Sequence, residues 1–275
     1  MTAVQEGLVW RSLADVPRDW PGCVVTIGVF DGVHRGHAHL ISAAREVAGS
    51  RPVVLVTFDP HPALVLGLPR DTSALSTVDR RAELGRSLGV EATLVLPFTR
   101  RFAALSPAGF VAEVLVGTLH AEAVVVGANF TFGHRGAGTV ETLRELGLSA
   151  IGVDLVDGCS STRVRELVRG GDVLGAAAVL GRPHRVEGVL SSGVVVVPPG
   201  TALPPDGQYV GTLGGRPARL VVSGGSVLVG GPVLAGVPDG PAVVEFLEPV
   251  VNSPAGLPTT REHGDLPFRQ RREHG

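Results

Sequence analysis

The chain has 275 residues, with 24 basic against 26 acidic side chains and a formal charge of −2. Every basic residue is an arginine, which excludes a P-loop lysine, a Schiff-base lysine and a serine–lysine dyad. The balanced charge argues against a nucleic-acid partner, and 44% hydrophobic with 18% charged residues describes a globular chain.

The segment Met1–Trp20 carries Glu6, Arg11, Asp15 and Asp19, so it does not read as a signal peptide. No apolar run is long enough to span a membrane, and the expected address is cytoplasmic. Cys23 and Cys159 are too few and too scattered for a disulfide framework or a zinc knuckle.

Apolar, β-branched runs then alternate with helical periodicity. Val24–Val29 reads as a buried strand, followed by a helix over His37–Ala48, a strand over Val53–Phe58 and a helix over Thr77–Leu88 with Thr77 as its cap. A strand at Ala92–Leu96, a helix at Pro107–Val116 and a strand at Ala123–Val126 come next. Helices at Thr139–Leu146 and Ser161–Arg169 flank a strand at Ile151–Val156. Repeated strand–helix units imply an α/β fold, a Rossmann-like doubly wound parallel sheet whose ligands sit beyond the carboxyl ends of the strands.

Near Pro183 the texture changes to turns rich in glycine and proline between short runs, Val194–Val197, Arg219–Val222, Val227–Val229 and Val243–Leu247. These predict a small β-barrel-like domain. The expected divisions are residues 1–184, residues 185–250 and a disordered tail over 251–275.

Chemistry concentrates in Gly28-Val29-Phe30-Asp31-Gly32-Val33-His34-Arg35-Gly36-His37, a buried strand running through a glycine-rich bend into a helix. Gly32 and Gly36 let backbone amides approach a ligand, and the helix N-terminus favours an anion. His34 and His37, three apart, can both donate to phosphate oxygens, which suits phosphoryl or nucleotidyl transfer. A zinc pair is the competing reading, weakened by the lack of an adjacent carboxylate or cysteine set. Ser160-Ser161-Thr162-Arg163, with Arg165, has the composition of an anion clamp at a second helix start; the alternative is an ordinary helix cap. Asn129 follows a strand and suits either a ligand edge or a turn. Phe58, Phe130 and Phe132 suit either a flat ring or the core, and His61 is fixed between two prolines.

The segment Gly28-x-Phe30-Asp31-Gly32-x-His34-x-Gly36-His37 resembles the HxGH signature of the nucleotidyltransferase superfamily. In its fuller form it resembles the adenylyltransferase module of bacterial bifunctional riboflavin kinase/FAD synthetases. Thr57–Pro62, Pro97–Thr99 with Leu105–Pro107 and Phe110, Val125–Gly133 and Ser160–Arg165 with Leu180–Pro183 resemble that family's other segments in order, over roughly residues 9–188.

The resemblance implies FMN adenylyl transfer from ATP, with Mg²⁺ arriving largely on the nucleotide and with small molecules as partners. It implies His34, His37 and Arg163 as catalytic groups. Gly28, Phe30, Asp31, Gly36, Ser160, Ser161, Thr162 and Arg165 would bind nucleotide, and Phe58, His61, Asn129, Phe130 and Phe132 the flavin. No protein metal site is implied.

Two departures stand out. Leu66 lies where some relatives carry an aromatic. The kinase half's PTAN segment is absent, which points to a barrel without riboflavin kinase activity. A different nucleotide or phosphorylated acceptor, or a non-catalytic ligand-binding protein, are the alternative functions.

Overall fold

A computed structural model of the chain describes residues 8–154 and 156–250; the expectation of a disordered tail falls outside them. The first half is built on β1 (Leu8–Trp10), β2 (Cys23–Ile27), α1 (Arg35–Ala48), β3 (Val53–Asp59), α2 (Pro62–Val65), α3 (Val78–Ser87) and β4 (Ala92–Pro97). It continues with α4 (Arg100–Ala103), α5 (Pro107–Phe110), β5 (Ala121–Gly127), α6 (Val140–Glu145), β6 (Ser149–Val153), α7 (Ser161–Arg169) and α8 (Val173–Leu180).

The six strands form one sheet in the order β1-β4-β3-β2-β5-β6, and every pairing is parallel. Crossovers run one way from β2 through β3 to β4 and the other way from β5 to β6, so the topological switch lies between β2 and β5. A crevice opens there at the carboxyl ends of the strands. All five residues of β2 are buried, because helices cover both faces. One face packs Trp10, Ile27, Leu94, Phe110, Leu115 and Leu143. The other packs Leu40, Ile41, Leu55, Leu84 and Val125.

Local structure departs from the sequence expectation in instructive places. The first helix begins at Arg35, with His34 as its cap, two residues before the expected start. The helix expected over Pro107–Val116 is one α turn that widens into a π-helical stretch over Val111–Val116. The strand expected at Ile151–Val156 is β6, which begins two residues earlier. In this half, β1, α2, α4 and α8 have no counterpart in the sequence reading. β1 is a three-residue edge strand. α8 (VLGAAAVL) has no polar face, since it is wedged between the sheet half and the barrel: Ala176 and Leu180 pack with Leu75, Val164 and Leu167, while Val173 enters the barrel core. Asp172 caps its start and Gly181, at φ 77°, its end.

The second half is a closed barrel of β7 (His184–Ser191), β8 (Val194–Val196), β9 (Gly207–Leu213), β10 (Arg216–Ser223), β11 (Ser226–Gly230) and β12 (Gly240–Pro249), in the order β10-β11-β8-β7-β12-β9. Its interior is filled by Val186, Leu190, Val195, Tyr209, Leu213, Leu220, Val227, Val244 and Phe246. Close packing requires glycine at Gly211, where a Cβ would stand 2.2 Å from Glu245 O. Phe246 is fully buried, so Phe246→Ala should remove about 3–5 kcal/mol of stability. Urea unfolding followed by near-UV circular dichroism checks this; a change under 1 kcal/mol would mean the barrel is not cooperatively packed.

Candidate active site

The bend after β2 is held in an uncommon backbone shape. Phe30, Gly32 and Val33 have φ of 53°, 78° and 38°, and only glycine adopts such angles without strain. Each such non-glycine residue costs about 1–3 kcal/mol, so surrounding contacts must enforce the turn. Thr57 Oγ1 donates to Val29 O at 2.7 Å. The buried Asp31 carboxylate accepts from the amides of Leu75 (3.0 and 3.2 Å) and Ser76 (3.1 Å), and from Arg165 Nη2 at 2.5 Å. Arg182 donates to Gly32 O and, at 2.9 Å, to Val33 O.

At the end of this bend the two histidines meet. The His37 amide donates to His34 Nδ1 at 3.3 Å, and the rings stack with centroids 3.7 Å apart and 19° between planes. Because His34 Nδ1 accepts, the neutral ring carries its proton on Nε2. Burial, then the nearby Arg182, push the His34 pKa down to about 4. Burial, then His34, Arg81 and Arg182, lower that of His37. Both are therefore neutral N–H donors near pH 7 and not cations.

A second helix start faces the first. Ser161 Oγ donates to Asp31 O at 2.8 Å, and a Cβ on Gly36 would lie 3.3 Å from Cys159 O. The N-termini of α1 and α7 thus converge beyond the carboxyl ends of the strands, where two helix dipoles and their free amides favour an anion. Ser160 Oγ caps α7 by accepting from Arg163 N at 3.1 Å. Thr162 is exposed, and Arg163 is exposed with Glu166 3.5 Å away.

Several residues expected to touch ligand stand behind the cleft. The ring of Phe30 is fully buried and backs His37 at 4.9 Å. Asp31 and Arg165 pair with each other in the interior, so Arg165 is committed to the turn and to Ser73 O (2.7 Å) and is not free to clamp phosphate. Gly28 is confined by the Phe30 ring, 3.2 Å from where its Cβ would be. Phe58 and Phe130 are half-buried and Phe132 is buried, in a run of rings with Phe98, Phe102 and Phe110. Asn129 is exposed after β5, across the crevice. His61 caps α2 by accepting from Ala63 N at 3.1 Å, and burial followed by Arg165 lowers its pKa.

Two cations, buried Arg81 and half-buried Arg182, were assigned no role in the sequence reading, although Arg182 lies in the Leu180–Pro183 segment. Arg81 lies 3.5 Å from Asp31, and Arg182 spans three carbonyls. The visible signal for Arg81 was an arginine on the inward face of an amphipathic helix.

A parallel sheet whose switch point is faced by two helix N-termini and paired neutral histidines defines a nucleotide-binding α/β protein. A family model described as FAD synthetase matches residues 16–165. The chain belongs to the FAD synthetase family.

Among curated relatives, the bifunctional riboflavin kinase/FMN adenylyltransferase of Listeria monocytogenes is 34% identical over 180 residues, covering 62% of this chain and 57% of the relative. That of Pseudomonas fluorescens is 36% identical over 189 residues, covering 65% and 60%. The matched region thus spans less than two thirds of those relatives. The crystal structure of a macrolide-efflux protein from Streptococcus pneumoniae superposes with a TM-score of 0.77 at 26% identity, over 89% of this chain and 90% of that one. Among the described residues no helix is long and apolar enough to cross a membrane.

The depressed histidine pKa values set an acid limit on stability. An unfolded histidine takes a proton below about pH 6.5, whereas folded His34 does so only near pH 4. Its contribution, on the order of 3 kcal/mol, is complete above pH 6.5 and is lost as pH falls toward 4. Urea midpoints should be flat from pH 7 to 8 and decline from 6.5 downward. His34→Asn, which can still cap α1, should shrink the decline; an equal slope in that variant would reject the assignment.

Proposed function

We propose that this chain is an FMN adenylyltransferase that makes FAD and pyrophosphate from FMN and ATP. The observation that carries this reading is the convergence of the α1 and α7 N-termini on the stacked His34–His37 pair. An FMN phosphate oxygen attacks the α-phosphorus of ATP, a new P–O bond forms, and the bond to the bridging oxygen of the β-phosphate breaks. The departing pyrophosphate takes the electron pair. Negative charge grows on the α-phosphoryl oxygens, and fixed N–H donors are worth most there. His34 Nε2–H and the His37 ring supply them. The amides at the start of α7, with Thr162 and Arg163, hold the leaving group. The half-buried Phe58 and Phe130, with His61 and Asn129, border the acceptor side.

In this reading Mg²⁺ travels on the triphosphate. The residues present do not suit a protein-borne cage: Asp31 accepts from two amides and an arginine, and among the described residues no three His, Cys, Asp or Glu side chains cluster for a metal. Small-molecule substrates are the expected partners, and a cytoplasmic setting follows from them.

The barrel, in the same reading, does not phosphorylate riboflavin. β7 turns at Ser192–Gly193 directly into β8, with φ of 49° and 84°, as a tight two-residue hairpin does. No PTAN segment intervenes.

Incubation with ATP and FMN should release pyrophosphate and form FAD, while ATP with riboflavin should yield no FMN. His37→Ala should cut turnover by roughly 10²-fold or more, as loss of a transition-state donor does. Unaltered turnover in that variant would defeat the mechanism. A second reading keeps the chemistry and changes the acceptor; Leu66, exposed beside Leu64 and Leu68, motivates it. A screen of four nucleoside triphosphates against FMN and other phosphate monoesters separates the two, since release only with another acceptor would favour the second.

A further inference from the structure

The strained histidine turn is not held by its own half of the chain alone. Arg182, between α8 and β7, reaches back to the carbonyls of Gly32 and Val33 and to Leu180 O at 3.0 Å. A second path runs through the loop that grips Asp31. Ala74 N donates to Gly200 O at 2.7 Å and Ala202 N donates to Ala74 O at 2.9 Å, a parallel bridge between Ala74 and Thr201. Ala202 O in turn accepts from buried His184 Nε2 at 2.8 Å, and Thr77 Oγ1 donates to Glu187 Oε2 at 2.6 Å. One and two residues beyond Ala74, the amides of Leu75 and Ser76 bind the Asp31 carboxylate.

One path starts at the α8–β7 junction where the chain enters the barrel and the other in the barrel's 200–202 loop, and they end on the same turn, one on its carbonyls and one on its carboxylate. Contacts that merely joined two domains could fall anywhere on their surfaces. These fall on the segment whose φ angles need enforcing, and whose last residue is His34. We propose that the barrel and its junction with α8 are a positioning part of the transferase site: Arg182 at the junction and the pairing of the barrel's 200–202 loop with Ala74 hold the histidine turn in its working shape.

The catalytic part of this inference rests on the adenylyltransferase reading, so its test carries one readout that does not. In the full-length chain, Arg182→Ala, Arg182→Lys and Ala202→Pro are compared, the last removing the N–H that pairs with Ala74. Pyrophosphate release with ATP and FMN gives kcat and KM, and ring ¹⁵N shifts give the tautomer of His34. Arg182→Ala should lower kcat at least about 30-fold with KM for ATP within about threefold, the pattern of lost orientation. Added guanidinium should restore part of that loss. Ala202→Pro should lower kcat in the same way, and His34 should leave its single Nε2–H form in both variants.

Val196→Thr, on the exposed outer face of β8, should change neither readout. If Arg182→Ala does not fold, Arg182→Lys and Ala202→Pro decide the matter by the same criteria. Folded variants with wild-type kcat and an unmoved His34 signal would overturn the proposal. So would a raised KM at constant kcat, which would make Arg182 a ligand contact. Should the wild-type chain release no pyrophosphate, the functional reading fails, and the ring signals alone decide: a shift in the variants supports the positioning role, and no shift sinks it.

Discussion

The Asp31 carboxylate is the constraint on which the site depends. It is buried and accepts from two backbone amides of the 73–77 loop, so it ties β2's exit to the start of α3. Arg165 reaches it from α7 at 2.5 Å and Arg81 from α3 at 3.5 Å. Such a charge is tolerable in the interior only with its partners in place, and losing one partner commonly costs about 3–5 kcal/mol. Removing it would free the loop, both arginines and the turn together. Asp31 is also outnumbered: Arg81 and Arg165 flank its carboxylate and Arg182 binds the carbonyls of the same turn, leaving a positive excess under the cleft. That excess helps keep His34 and His37 neutral and draws an anion toward them.

The same network explains why the two halves read as one molecule. α8 contributes apolar side chains to both, Leu180 to the junction and Val173 to the barrel interior. Leu75, whose amide binds Asp31, packs its side chain in that junction with Val164, Leu167 and Ala202. Hydrophobic contact and hydrogen bonding therefore converge on one loop, which the alternation of strands and helices left as an ordinary connection.

The parallel sheet was legible because β2, β3 and β5 are continuous β-branched runs, and parallel strands buried on both faces require that pattern. The barrel strands β7 and β9 were not, since His184–Ser191 mixes charges and a glycine, and Gly207–Leu213 two glycines and polar residues, with few inward apolar side chains. The histidine pair and the 160–163 segment were visible as motifs. What the motifs could not convey is which side of the turn each residue takes. Phe30, Asp31 and Arg165 lie beside ligand-facing groups in sequence, yet a φ of 53° at Phe30 sends its ring into the core, and the 73–77 loop draws Asp31 inward. Such long-range pairings, Asp31 with Leu75 or Arg182 with Gly32, leave no local periodicity.

The absence of lysine has a physical meaning at this site. Burial and the neighbouring Arg80 and Arg185 push the Arg182 pKa down to about 10, which still leaves a full cation at neutral pH. A lysine starts about two units lower and, under the same burial, would titrate near neutrality. It would also offer a point charge where Arg182 offers a planar fork spread over three carbonyls. A buried turn held by a cation that must not titrate is a position that suits arginine.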